Sequence, residues 1–233
     1  MTDFFRFPHT PHLAWLGTGR PREDKVLGKA EAELLLAGNV TIEEKVDGAN
    51  LGLSIESGRV RGQNRGEWLR PGHEHPQFRP LWGWLATREA LLVERVPRQC
   101  IVFGEWCYAR HSIAYTRLPD WFLVFDVYDR DTERFWTFEH REHLVGTLDL
   151  ASVPRLGIGR YTLAGVQAML GPSKLTDGPM EGLVVRRDDA EQQVARAKLV
   201  QPAFTQAMDD HWMRRALEPN RLSKAQQAPT EGS

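Results

Sequence analysis

The sequence predicts an α+β domain built on antiparallel sheets flanked by helices. Three patterns carry this. In "NVTIEEKVDGANLGLSIESGRVRGQNRG", residues 39–66, short alternating runs are broken by Asp-Gly and Ser-Gly, as strands joined by tight turns are. Later, "CIVFGEWCYA", "DWFLVFDVYD", "MEGLVVRRDD" and "QVARAKLVQ" read as further strands, the last two joined by a polar hairpin. Between them, stretches such as "FRPLWGWLATREALLVE" repeat apolar residues at helical spacing.

The opening stretch, through about Pro21, is rich in Pro, Gly and aromatics and reads as loop with short elements. A helix is predicted from Lys29 to Ala37, ended by Gly38 and Asn39. Strand, Asp47-Gly48 turn, strand, Ser57-Gly58 hairpin turn and strand follow. A helix over 78–94 places Trp82, Leu85 and Leu92 on related faces. Strict alternation in "DWFLVFDVYD" puts Phe122, Val124, Asp126 and Tyr128 on one face, and Leu123, Phe125 and Val127 on the other. "TFEHREHLVGTL" and "TLAGVQAML" read as helices, and "FTQAMDDHWMRRALEPN" as an amphipathic helix stopped near Pro219 and Asn220. With no internal repeat and no linker, residues 1–220 are expected to form one domain and 221–233 a disordered tail.

A chain of 233 residues with 41% hydrophobic composition and 8 tryptophans can build a sizeable core. Its net charge of -1 argues against a bulk polycation and leaves room for a local basic groove. Two cysteines, Cys100 and Cys107, are no disulfide framework and read as reduced thiols of a cytosolic protein. The N-terminus "MTDFFRFPHTPHLAWLG" lacks a basic stretch followed by an apolar one, and no apolar run approaches a membrane span. A soluble, cytoplasmic protein without membrane contact is expected.

Taken alone, Lys45 in "EEKVDGAN" reads as a solvated charge beside a turn. Its company changes that. "FGEW" places Glu105 at a strand end, "FLVFDVYD" carries an aromatic and an acid on one strand, and Glu181 precedes an apolar strand finishing in Arg186 and Arg187. Arg196 and Lys198 share a strand face, because strand side chains repeat every two residues. His73 and His75, two apart in "GHEHP", have no third ligand nearby and read as loop.

In this order the motifs resemble the covalent nucleotidyltransferases: polynucleotide ligases and mRNA capping guanylyltransferases. Lys45-Val46-Asp47-Gly48-Ala49-Asn50 resembles the first motif, Phe103-Gly104-Glu105-Trp106 the third, and Phe122-Leu123-Val124-Phe125-Asp126 the motif called IIIa. Glu181-Gly182-Leu183-Val184-Val185-Arg186 resembles the fourth and Arg196-Ala197-Lys198-Leu199-Val200 the fifth. Arg65 sits where the superfamily carries an arginine after the first motif. Asn50, "GEW" and "ARHSIAYTRLPDWFLVFDVYD" are most similar to the RNA ligase 2 branch. The resemblance implies an adenylyltransferase domain with an ATP-grasp-like ligase core.

It also implies an activity: ATP-dependent joining of RNA ends. Lys45 would attack the α-phosphorus of ATP, AMP would pass to a 5′-phosphate, and a 3′-hydroxyl would displace it. Only the neutral amine is nucleophilic, so the pKa of Lys45 is expected to fall. Catalysis would rest on Lys45, Glu181, Lys198 and Arg65. The nucleotide would be held by Glu44, Lys45, Asn50, Arg65, Glu105 on the ribose, Phe125 stacked on adenine, Glu181, Arg196 and Lys198. Mg2+ or Mn2+ would sit by Glu181 through water, with the cations neutralising phosphate. Arg110 and His111 would touch nucleic acid phosphate, Met213 to Arg215 offer a further such contact, and Asp47 would fix the turn at Lys45.

Two departures narrow the reading. Arg196 stands where the fifth motif commonly has a lysine; charge is kept, but Arg cannot be deprotonated. After Val200 one helix and a tail are read, without the OB-fold of many DNA ligases and capping enzymes. RNA is therefore the expected partner, with DNA ligation and GTP-dependent capping as alternatives. A non-sealing nucleotide- or nucleic-acid-binding protein, dependent on a protein partner for the missing module, is the reading from another class.

Overall fold

In a computed structural model, which describes residues 4–18, 25–205 and 217–223, the chain forms two sheets facing each other across a cleft. Helix α1 (Lys29–Leu36) follows the prediction closely; Glu31 accepts from the Gly28 amide at 2.8 Å and closes its first turn. Strands β1 (Val40–Lys45), β2 (Ala49–Glu56) and β3 (Arg59–Gln63) follow. The helix expected over 78–94 is two: α2 (Arg79–Ala86) and α3 (Glu89–Arg95). Thr87 Oγ1 donates to the Trp84 carbonyl at 3.1 Å, and Arg88 also turns back onto it, which satisfies the last turn of α2 and ends it.

Next come β4 (Cys100–Trp106), β5 (Phe122–Asp129), β6 (Arg134–Phe135), α4 (Phe138–Thr147), β7 (Ala151–Ser152) and β8 (Arg155–Gly159). Then α5 (Leu163–Gln167), β9 (Gly182–Asp188), β10 (Gln193–Val200) and α6 (Pro202–Thr205) complete the order. Thr137 and Thr162 cap α4 and α5 through their hydroxyls. Strands β6, β7 and β8 carry no signal in the sequence; each is short or glycine-broken and exists by pairing with a long neighbour. The C-terminal helix expected over 204–220 is described only in α6; its remainder, Met213 to Arg215 included, and the tail from 224 lie outside the described residues. Arg221 and Ser223, in the stretch expected to begin the tail, are hydrogen-bonded to the 115–118 segment.

One sheet runs β10-β9-β1-β8, the other β3-β2-β4-β5-β6 with β7 parallel to β5. All other pairings are antiparallel, and neither sheet closes into a barrel among the described residues. The expected α+β architecture of antiparallel sheets flanked by helices is present. The four-stranded sheet buries Ile42, Leu183, Val185, Ala197 and Leu199 against Ala32 and Leu35 of α1 and Val166 of α5. The larger sheet buries Leu51, Leu53, Val102, Trp106, Phe122 and Val124 against Phe78, Leu81, Trp84 and Leu85 of α2 and its approach, and Leu144 and Val145 of α4.

Strict alternation fails in β5. Gly104 pairs with Val124 but Phe103 with Asp126, so Phe125 is an extra residue, a β-bulge. Beyond it the faces exchange. Val127 joins Phe122 and Val124 in the helix-covered core, and Tyr128 joins Phe103 and Phe7 on the opposite face. Asp126, assigned to the same face as Val124 by strict alternation, turns instead toward the other sheet.

There it meets buried charges. Arg186 donates to Glu43 and Asp126, both at 2.5 Å, and Arg196 to Asp126 at 2.7 Å. Arg141 of α4 pairs with Glu43 and donates to the Phe125 carbonyl. Glu43, Asp126, Arg141 and Arg186 are all buried. Burial would push the Asp126 carboxyl up, but Arg186 and Arg196 outweigh it and hold it below its ordinary range.

Candidate active site

Period-two geometry sorts the strand residues between the two faces of the smaller sheet. Ile42, Leu183, Val185, Ala197 and Leu199 go to the helix-covered core. Glu43 and Lys45 of β1, Arg186 of β9, and Arg196 and Lys198 of β10 go to the cleft face. Lys45 ends β1, opposite Gly182, and its Nζ lies 2.5 Å from Glu181 Oε2. The Lys45 side chain keeps 25% of its surface exposed.

The turn after Lys45 is held from several sides. The Gly48 amide donates to Glu105 Oε1 at 3.0 Å. A Cβ at Gly48 would stand 2.7 Å from the Trp106 carbonyl oxygen, so only glycine permits this approach. The Asp47 amide donates to the Tyr115 hydroxyl at 2.8 Å, and Asp47 Oδ2 accepts from the amides of Ser112 and Ile113 at 2.7 and 3.1 Å. These partners were invisible in the sequence, which marks neither Tyr115 nor the two amides.

The electrostatics differ from the expectation for Lys45. Burial, the largest single influence, pushes its pKa down, but the carboxylates of Glu181, Glu105 and Asp47 together outweigh it, and the net direction is up. The expected fall is absent from this state of the site, and Lys45 stands as an ammonium. Burial drives the Glu105 carboxyl up to about 8 against the opposing pull of Lys45. Burial also raises Glu181, with Lys45 and Lys198 holding it back.

The other expected residues divide. Phe125, on the face opposite Phe122 and Val124, is half-buried with Phe7 edge-on at 5.2 Å. Asn50 is paired in register with Glu105, and its buried Oδ1 has no hydrogen-bond partner. Arg65 is exposed on the turn after β3 and makes no ion pair with another described residue, yet its charge reaches Arg196. Lys198 lies near enough to Glu181 to lower its carboxyl.

Glu44 is elsewhere. It faces away from Lys45, where its carboxylate accepts from Ser173 Oγ at 2.5 Å and the Lys174 amide at 2.8 Å. Arg196 is committed to Asp126 and packs against both Phe7 and Phe135, with its guanidinium 4.4 and 4.2 Å from the ring centroids. Burial draws its pKa down to about 10. Arg110 pairs with Glu218 at 2.9 Å, and the His111 ring meets Gln77 Oε1 at 2.9 Å. His75 caps the turn at Pro76–Phe78, and no cluster of three metal-binding side chains occurs among the described residues.

The donor set fits a hydrated divalent ion only in part from the protein. Glu181 supplies one carboxylate at the cleft, and Mg2+ or Mn2+ commonly takes one or two such groups plus substrate phosphates. An orphaned carbonyl at Asn50, a half-open aromatic at Phe125 and cations at Lys198 and Arg65 fit a nucleotide with its phosphates.

Among solved structures, an apo mutant of Naegleria gruberi RNA ligase matches with a TM-score of 0.63 at 19% identity, over 90% of this chain and 60% of that one. The same ligase with PPi gives 0.60 at 23% identity, and a mutant with ATP and Mn gives 0.57 at 21%. Those two matches cover 76% of this chain and 54% of the other. The chain thus spans little more than half the length of these ligases, and at this identity they share its fold. No curated protein matches the sequence. An RNA ligase family model matches residues 38–200. That span is well over half of the chain and contains Lys45, Glu105, Phe125, Glu181 and Lys198, so the chain belongs to the RNA ligase family.

Proposed function

We propose that the protein is an ATP-dependent RNA ligase of the RNA ligase 2 type that works through a lysyl-AMP at Lys45. The observation that carries this is the placement of Lys45 Nζ against Glu181, with Glu105 near enough to act on its charge. The structures of the Naegleria ligase with ATP and Mn, and with PPi, support the choice of nucleotide and metal.

Phe125 stacks on the adenine, Glu105 binds the ribose hydroxyls, and Arg65 and Lys198 receive the phosphates. Asn50, with its orphaned carbonyl, takes a donor from the nucleotide. A divalent ion at Glu181 would draw negative charge off the phosphates. By competing for the Glu181 carboxylate such an ion would weaken its hold on the Lys45 proton, and the phosphate-neutralising cations Arg65 and Lys198 lower the pKa further. Neutral Lys45 then attacks the α-phosphorus: the Nζ–P bond forms, the P–O bond to pyrophosphate breaks, and the amine gives up its proton. AMP passes to a 5′-phosphate RNA end, and a 3′-hydroxyl displaces it to form the phosphodiester. Both cysteines are buried free thiols, which suits a reducing cytoplasm.

Incubation with labelled ATP and Mg2+ or Mn2+ should leave acid-labile, base-stable label on the wild-type chain and none on Lys45→Ala. Equal label on both sinks the reading. Nicked RNA, DNA and hybrid duplexes then assign the substrate, with sealing of nicked RNA expected. Label without joining on any of them supports the non-sealing alternative, and label from GTP in place of ATP supports capping.

A further inference from the structure

Residues 217–223 form a strap across the loop that follows β4. Its centre is Asn220, 5% exposed, whose side chain uses three hydrogen bonds to hold that loop's backbone. Its Oδ1 accepts from the Tyr115 amide at 2.9 Å, and its Nδ2 donates to the carbonyls of Cys107 and Ala109 at 2.8 and 3.1 Å. The Asn220 amide itself donates to Tyr108 at 2.8 Å. On either side, Arg110 donates to the Glu218 carbonyl at 2.8 Å, Arg221 to Tyr115 at 3.0 Å and Ser223 to Leu118 at 2.8 Å. A buried amide with each of these groups matched is expensive to disturb, because every lost partner leaves a buried polar atom behind.

The loop that Asn220 fixes is the one that grips the turn after Lys45. Tyr115, 1% exposed, accepts from the Asp47 amide through its hydroxyl, and Ser112 and Ile113 donate to the Asp47 carboxylate. The same loop reaches the other flank of the lysine. Thr116 and Arg117 donate to the Leu175 carbonyl, and Thr176 donates to Ala114. The 173–176 segment in turn holds Glu44 through Ser173 and Lys174. Both neighbouring acids of the Lys45 segment are therefore spent on one scaffold, and the strap locks that scaffold.

We infer that Asn220 is a positioning residue for adenylylation: through Tyr115 and the 112–113 amides it sets the turn at Asp47 and hence the place of the Lys45 amine. It touches no substrate. The inference rests on the lysyl-AMP reading of Lys45.

Two readouts on the purified full chain separate the two. Amide hydrogen exchange needs no activity. Asn220→Ala should speed exchange at Asp47, Ser112 and Ile113 by about tenfold or more while amides of β9 and β10 stay protected. At saturating ATP, single-turnover lysyl-AMP formation should fall by about tenfold or more, since a small misplacement of a reacting group suffices. The ATP KM should change by less than about twofold, because the nucleotide contacts lie elsewhere. Tyr115→Phe keeps the strap and removes the acceptor for the Asp47 amide. It should show the same gain in exchange at Asp47 and a comparable rate loss, and the double variant should lose little more than the worse single one. If Asn220→Ala does not fold, Tyr115→Phe alone decides, and unchanged exchange and rate there overturn the inference. Unchanged exchange at the three amides in folded Asn220→Ala, or a rise spread evenly over the molecule, also overturns it. If the wild type takes no label, the lysyl-AMP reading fails, while exchange still shows whether the strap holds the turn.

Discussion

Lys45 and Glu105 sit in one cleft with their ordinary protonation states pulled the same way, toward holding protons. For Lys45 that keeps the amine charged in the free protein. For Glu105 the consequence is measurable. Its carboxyl titrates near 8 in the folded chain against an ordinary value of 4.5. A raised folded pKa favours the protonated form, so its contribution is fully present below the unfolded pKa and is lost as pH climbs through the folded one. Glu105→Gln keeps an acceptor for the Gly48 amide and never ionises. Its urea midpoint should match that of wild type near pH 4 and rise above it progressively toward pH 8. Parallel curves across that range would mean that the Glu105 carboxyl ionises as it does in water.

At the scale of elements, β9 and β10 lie unusually close at the end that carries Glu181. A Cβ on Gly182 would sit 2.2 Å from the Leu199 carbonyl oxygen and 2.9 Å from Val200 Cα, both backbone atoms that cannot rotate aside. Gly182→Ala should cost about 1–3 kcal/mol, as overpacking does, and should slow lysyl-AMP formation by moving Glu181 from Lys45. Denaturant midpoints and the labelling assay check both, and an unchanged midpoint would show that the strands part freely. Much at this scale was legible. The helix at α1, the hairpin after β2 and the paired strands β9 and β10 follow from local turn residues and periodicity. The bulge in β5 was not, because it adds no residue type of its own. It arises where Gly104, with Phe122 and the Leu123 carbonyl packed over it, shifts the pairing by one.

For the whole molecule, buried charge joins the two sheets behind the cleft. Glu43 and Asp126 meet Arg141, Arg186 and Arg196 where neither side reaches water freely. Removing one partner strands the others, so Asp126→Ala should destabilise by about 3–5 kcal/mol in chemical denaturation. Lys29→Ala, which breaks a 3.9 Å pair between exposed side chains on α1, should change stability by less than about 0.5 kcal/mol. A similar small effect from both would mean that the sheets are held by apolar packing alone. Arg196 belongs to this joint. The substitution of arginine for the lysine that the resemblance leads one to expect has a structural use here, since a guanidinium can pair with Asp126 while packing against two aromatic rings.

The sequence by itself determined the α+β class, the order of the motifs, and the period-two placement that puts Arg196 and Lys198 on one strand face. These are local properties, set by turn chemistry and by side chains that alternate along a strand. Only the tertiary structure decided what each charge meets. It turned Glu44 onto the 173–174 segment, gave Arg196 to Asp126, surrounded Lys45 with acids, and brought Asn220 onto a loop more than a hundred residues earlier. Partners so distant along the chain leave no periodic trace, because they are chosen by how two sheets pack and by which buried polar groups must be satisfied there.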